Sequence, residues 1–202
     1  MLIQELESSD IMSKMYFRYG AMNCGKTTAL LQVAHNYEEQ GMKVVVIKSE
    51  IDKKGNKNIV SRLGISREVD VLIPKDDKIS NNIKLEGLSC ILVDEAQFLA
   101  PEQVKELWII SKMKNIPVIC YGLKTDFRGK LFDGSRAIIE LADELEELST
   151  ICRCGEKARF NARIINGEYV SSGDVVAIDG IDASYDPLCG KCYIKKVLKL
   201  NK

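Results

Sequence analysis

"YGAMNCGKTTALLQ", residues 19–32, sets Gly20 ahead of Gly25, Lys26 and Thr27 with four residues between the two glycines. That is the G-x-x-x-x-G-K-T spacing of a phosphate-binding loop. The glycines permit a turn in which backbone N–H groups converge on a phosphate, the lysine reaches the outer phosphates, and the threonine hydroxyl can ligate magnesium. Gly20, Gly25, Lys26 and Thr27 carry that chemistry, and the phosphate-binding stretch as a whole also takes in Ala21, Met22, Asn23, Cys24 and Thr28. The motif has meaning only between a strand and a helix, and both are legible. "MYFRY" (15–19) reads as a short strand, and Leu30, Val33, Ala34 and Tyr37 recur at helical spacing until Gly41, a helix-ending glycine.

The same alternation continues outward. "KVVVIK" (43–48) and "SCILVDEAQF" (89–98) contain unbroken apolar, β-branched runs, which suit parallel strands buried on both faces. "PEQVKELWIISKMK" (101–114) reads as a helix with Pro101 in its first turn and Val104, Leu107 and Trp108 on one face, and "IPVICYGL" (116–123) returns as a strand. The expected fold class is therefore α/β, a P-loop core with a mostly parallel, doubly wound sheet. "SRAIIELADELEEL" (135–148) reads as the last helix of that core, with Asp133 or Ser135 available as its cap. Residues 49–88 are more polar and read as a mobile surface segment in which "DVLI" (70–73) is a short strand.

Composition narrows the class. A chain of 202 residues with 46% apolar content can bury one α/β core with a small appendage, which excludes disordered and fibrous classes. Lysine plus arginine and aspartate plus glutamate both number 29, so the overall charge suggests neither a nucleic acid nor a membrane partner. "MLIQELESSD" (1–10) lacks the basic and apolar regions of a signal sequence, so a cytoplasmic location is expected.

The chain divides at about residue 148, giving an expected nucleotide-binding unit at 1–148 and a second unit at 149–202. In the second, "NARIINGEYVSSGDVVAID" (161–179) places Asn166-Gly167 between two β-like runs, a strong hairpin signal. Of seven cysteines, Cys24, Cys90 and Cys120 are scattered singly and read as small core fillers. Cys152, Cys154, Cys189 and Cys192 form a C-x-C and a C-x-x-C pair, a spacing that suits tetrahedral zinc. Arg153, Lys157, Lys191, Lys195 and Lys196 lie close in sequence to offset the thiolate charge. His35, the only histidine, belongs on the solvated side of the first helix and is proposed neither as base nor as ligand.

"ILVDEAQF" (91–98) complements the loop. Asp94 at a strand end can help hold magnesium, and Glu95 is then free to accept a proton from an attacking hydroxyl. Three classes fit a P-loop with such a carboxylate pair. "DEAQ" resembles the acidic box of motor ATPases, but those need two lobes or a ring, and one core is present. "GLKTD" (122–126) resembles a guanine-reading motif of a GTP-binding switch, yet the asparagine and the switch glycine are missing. A kinase for a small acceptor uses every feature.

Taken together, "GAMNCGKT", "VDEAQF", "YGLKTDFRGKLF", "ICRCGEKARFNARI" and "YDPLCGKCY" give a chain that resembles the zinc-containing thymidine kinases, in the bacterial subgroup with a C-x-C pair. The resemblance implies a RecA-like core, a small zinc-ribbon domain carrying a lasso loop, and ATP-dependent phosphorylation of thymidine in nucleotide salvage. It implies Glu95 as the general base, Asp94 and Thr27 as magnesium support, and Met22, Phe98, Leu123, Phe127 and Tyr185 around the thymine ring. It further implies a homotetramer inhibited by thymidine triphosphate. Two departures from the family pattern leave Lys54, Arg62 and Lys124 without a role: Asp52-Lys53-Lys54 stands where an aspartate-x-arginine is common, and Lys124 where aspartate is common.

Overall fold

The computed structural model describes residues 12–51, 57–62, 64–175 and 183–200, so Asp52, Lys53 and Lys54 lie outside the described residues. In chain order the elements are β1 (Met15–Tyr19), α1 (Lys26–Glu39), β2 (Val44–Ser49), β3 (Asn58–Val60), β4 (Ser66–Glu68), β5 (Val71–Ile73), α2 (Ile79–Asn82), β6 (Cys90–Asp94), α3 (Pro101–Met113), β7 (Val118–Gly122), α4 (Asp133–Leu141) and β8 (Glu144–Glu147). They continue with β9 (Thr150–Ile151), β10 (Lys157–Ala158), β11 (Phe160–Ile165), β12 (Glu168–Val170), β13 (Ala183–Leu188) and α5 (Gly190–Lys196). No helix among the described residues is long and apolar enough to cross a membrane.

The central sheet has six strands in the order β5-β2-β6-β7-β1-β8, and every pairing in it is parallel. Successive side chains of a strand point to opposite faces, so a strand buried throughout must supply both cores. Val44, Val46, Cys90, Leu92, Ile119 and Tyr121 pack against Leu30, Leu31 and Ala34 of α1 on one face. Val45, Ile47, Ile91, Val93, Val118 and Cys120 pack on the other with Val104, Leu107 and Ile110 of α3 and Ala137 and Ile138 of α4. Helices cover both faces, as the doubly wound reading requires. α1 ends in a Schellman motif: Gly41 N–H donates to the Glu38 carbonyl and Met42 N–H to that of Tyr37. His35 lies exposed on α1, paired only with Glu39.

Two sequence expectations are corrected. The last core helix stops at Leu141, and 144–147 is a strand parallel to β1. Glutamate and leucine favour a helix, but tertiary pairing overrides that preference. The Asp143 carboxylate accepts the Met15 N–H (2.7 Å), and Glu144 and Glu146 lie opposite Lys14 and Arg18 as ion pairs. Neither expected cap serves α4: Phe132 occupies the N-cap position, Asp133 is the first helical residue, and the Ser135 hydroxyl donates to the Leu123 carbonyl instead.

Residues 49–88, read as a surface segment, contribute Ile59, Val69, Ile73, Ile79 and Ile83 to the buried cores. Asp70 docks the segment by exchanging bonds with Val46: its carboxylate accepts the Val46 N–H, and its own N–H donates to the Val46 carbonyl. Gln103 of α3 pins the far side. It is 4% exposed, donates to the carbonyls of Pro74 (2.7 Å) and Asp77 (2.8 Å), and accepts from the Ala100 N–H at the helix start (3.0 Å).

β3 and β4 pair as a separate antiparallel ribbon, and the remaining strands lie beyond residue 148. β12, β11 and β13 form an antiparallel sheet, β9 and β10 a small ribbon. The β11–β12 connection turns at Asn166 and Gly167, both with positive φ (51° and 80°), the signature of the hairpin turn expected from Asn-Gly. Cys152, Ala158, Ala162, Leu188, Cys189, Tyr193 and Val197 form a third core there.

Replacing Gln103 by leucine removes partners from three backbone groups at once. Gln103→Leu is expected to lower stability by about 2 kcal/mol, read as a lower urea midpoint at unchanged slope.

Candidate functional site

Parallel pairing brings the carboxyl ends of β1, β7 and β6 to one rim, where open α/β sheets bind ligands. Tyr19 is level with Gly122, and Val93 with Cys120, so the chain leaves the sheet at Gly20, Leu123 and Glu95 side by side. β7 stands between β1 and β6, which sets the phosphate-loop strand about 10 Å from the carboxylate strand.

Gly25 precedes α1 in a left-handed conformation (φ 83°, ψ 18°) that most side chains disfavour. A Cβ on Gly20 would lie 2.3 Å from the Leu148 carbonyl oxygen, so the turn demands glycine there for space. α1 has neither a side-chain cap nor an acidic residue in its first turn. Its leading N–H groups and the positive end of its dipole are therefore directed at whatever the loop holds. The Lys26 ammonium folds over the loop onto the carbonyls of Gly20 (3.2 Å) and Ala21 (3.1 Å) and the Cys24 thiol (3.6 Å). Cys24 is thus half-buried in the loop and fills no core.

Asp94, 7% exposed, ends β6, and Glu95 follows it in a left-handed conformation (φ 46°, ψ 43°). Such a backbone costs a glutamate about 1 kcal/mol. Gln97 over-determines it. Gln97 is 3% exposed; its amide donates to the Glu95 carboxylate (2.6 Å) and accepts the Leu123 N–H (2.9 Å), bridging the ends of β6 and β7. A Cβ on Gly122 would stand 2.7 Å from that amide oxygen. Gln97 was inside the quoted "DEAQ" string, but nothing in its residue type announced this bridge.

Of the residues expected around thymine, Phe127 and Tyr185 are brought together, and Met22, Leu123 and Phe98 each have other partners. Met22 donates its N–H to Asn161 (2.7 Å), whose amide also reaches the Thr125 carbonyl (3.5 Å). Phe127 and Tyr185 meet through Arg163, which lies against both rings. Leu123 is half-buried at the end of β7, and the ring of Phe98 packs edge-on against Phe132. Asp126, the aspartate of the guanine-like string, is 5% exposed and engaged by Arg128 and the N–H groups of residues 128 and 130. It anchors its own turn and presents no carboxylate to a purine.

The sulfurs of Cys152, Cys154, Cys189 and Cys192 all lie within 4.8 Å of one another, with Cys154 and Cys189 3.6 Å apart. Tetrahedral zinc at about 2.3 Å from each sulfur separates them by about 3.8 Å, so the donor set fits. The first pair sits on the β9–β10 turn; Cys189 caps α5 and accepts the Cys192 N–H (3.4 Å). Two of the five expected cations are engaged elsewhere, Arg153 with Asp186 and Lys157 with Glu147. Burial pushes the Cys90 thiol up to about 12 and raises that of Cys120 further, which keeps both protonated and inert as core fillers. Tyr193, next to Cys192, stacks on Phe160 and donates its hydroxyl to the Phe127 carbonyl (2.6 Å), tying the cysteine cluster to the rim.

A phosphate loop on the same rim as a fixed carboxylate, with a four-thiol cluster alongside that could hold a metal ion, is an arrangement that suits a P-loop phosphotransferase. Residues 13–193 match the family model described as thymidine kinase. The chain is 46% identical over 184 residues to a thymidine kinase of Chromobacterium violaceum, covering 90% of this chain and 98% of that protein. It is 45% identical over 192 residues to a thymidine kinase of Pasteurella multocida (92% and 99%) and 44% identical over 185 residues to one of Ruegeria pomeroyi (89% and 93%). The chain belongs to the thymidine kinase family, and neither the motor nor the switch reading is favoured.

Cys189→Ser removes a cluster ligand, whereas Cys120→Ser alters only core packing. Metal analysis is expected to find about one zinc per chain in the parent protein and the Cys120 variant, and well under one in the Cys189 variant.

Proposed function

We propose that this nucleoside kinase is an ATP:thymidine 5′-phosphotransferase. The observation that carries the reading is Glu95, whose carboxylate Gln97 fixes on the same rim as the phosphate loop. The 5′-oxygen of thymidine attacks the γ-phosphorus, the bond to the β-phosphate oxygen breaks, and the hydroxyl proton passes to Glu95. Phosphoryl transfer through a loose transition state needs mainly alignment and charge neutralisation. Lys26 and the uncapped leading N–H groups of α1 supply both. Thr27 and Asp94 are the residues that would support magnesium, which would supply further charge neutralisation.

Thymidine is uncharged, so shape and hydrogen bonds select it. Met22, Phe98, Leu123, Phe127 and Tyr185 would enclose the thymine ring, with the buried Phe127 as its floor. Structural zinc on the four cysteines would order the second unit, 149–202, in which all four lie, and the Tyr193 and Asn161 bonds join that unit to the first, 1–148. Homotetramer assembly, inhibition by thymidine triphosphate and a cytoplasmic location complete the reading and rest on the family resemblance.

A nucleoside panel with ATP and magnesium tests it: thymidine is phosphorylated, and single-stranded or duplex DNA does not stimulate ATP hydrolysis. Glu95→Gln is expected to leave ATP binding intact and reduce turnover by roughly 10²–10⁴-fold; near-normal turnover at saturating thymidine would remove Glu95 from the role of base. Lys26→Ala is expected to damage phosphoryl transfer more than thymidine binding, and calorimetry beside single-turnover rates separates the two.

A further inference from the structure

Arg163 sits in the middle of β11 and is 3% exposed. Its guanidinium lies over the Phe127 ring, with Cζ 3.9 Å from the ring centre. Nε donates to the Tyr185 hydroxyl (2.9 Å), and the two terminal nitrogens donate to the carbonyls of Asp174 (2.5 Å) and Val175 (2.6 Å). Tyr185 is also its cross-strand partner on β13. One side chain thus gathers the loop after β7, the chain leaving β12 and the middle of β13. Arg128 reaches toward the same stretch at the Gly173 carbonyl (3.5 Å).

Stability alone does not account for the choice of arginine. Taking a guanidinium out of water is costly, and an apolar side chain of similar volume is usually at least as stable in such a place. Among the described residues the acceptors are all neutral: two backbone carbonyls and a phenol. What arginine adds is geometry. Its donors are fixed in one plane, so bonding all three acceptors while stacking on a ring locks their relative positions. Lysine carries the same charge but has neither the plane nor the fork.

We propose that Arg163 is a positioning residue for the acceptor nucleoside: it fixes Tyr185 and residues 174–175 against the Phe127 ring, and so sets thymidine affinity without touching thymidine. The proposal rests on the functional reading that places Phe127 and Tyr185 at the thymine ring. It assigns a role to a residue that is buried, distant in sequence from the phosphate loop, and part of none of the phosphate or metal machinery.

The test uses full-length, zinc-loaded enzyme with Arg163→Lys and Arg163→Met. Both are expected to raise the thymidine KM about 10- to 100-fold, the loss of one or two charge-assisted bonds. The ATP KM and the zinc content stay at parent values, and kcat falls less than KM rises. Limited proteolysis is expected to cut the variants at residues 171–175 faster than the parent, and saturating thymidine to restore protection. Tyr185→Phe, which removes one of the three bonds and retains the ring, is expected to give a smaller rise. If Arg163→Met does not fold, Arg163→Lys decides by the same readouts. Folded variants with unchanged thymidine KM overturn the proposal, and so does a parallel rise in both KM values with loss of zinc, which would make Arg163 a general core residue. A parent enzyme that does not phosphorylate thymidine overturns the functional reading itself; an active parent with unaffected variants overturns only the role of Arg163.

Discussion

Parallel pairing of buried strands is the constraint on which the rest of this molecule depends. β2, β6 and β7 are buried on both faces, so they can exist only with α1 on one side and α3 and α4 on the other. Parallel direction then places every strand's carboxyl end on the same rim. Lys26, Asp94, Glu95 and Leu123 therefore become neighbours in space although they span about half the chain. The spacing between strands, rather than any loop, sets the distance between phosphate loop and carboxylate.

β11 couples that rim to the second part of the chain. Asn161 and Arg163 are two residues apart and so share one face of the strand. Asn161 holds the Met22 N–H of the phosphate loop, and Arg163 holds Phe127, Tyr185 and the chain at 174–175. β11 pairs with β13 along its whole length, and its first residue, Phe160, lies opposite Leu188, which runs into Cys189. The donor loop is thus not independent of the cysteine-bearing unit: one of its N–H groups is satisfied from there. From the cysteine cluster a short chain of contacts runs through Tyr193 to Phe127 at the rim.

Much of this was legible in the residues. The spacing of Gly20, Gly25, Lys26 and Thr27, the carboxylates after an apolar run and the two cysteine pairs each encode chemistry in a short window, because the groups involved must be close along the chain to form a turn or a ligand pair. The misread elements are those whose neighbours lie far away. β8 looked helical because glutamate and leucine favour a helix locally, and only Met15, Lys14 and Arg18 make it a strand. Residues 49–88 looked like surface because their isoleucines and valines are spaced widely among polar residues, yet Asp70 and Gln103 dock them into the sheet and α3.

The sequence by itself determined the α/β class, the phosphate loop, the carboxylate pair, the thiol quartet and the hairpin at Asn166-Gly167, since each depends on periodicity or on spacing within a few residues. Only the tertiary structure decided what orients those groups. Gln97 across two strand ends, Asn161 on the phosphate loop, Tyr193 on Phe127 and Arg163 among three chain segments are contacts between residues whose types alone say nothing of their partners. A hydrogen bond needs its donor and acceptor within about 3 Å, and over such sequence separations that proximity is a property of the packed sheet and not of any local stretch of chain.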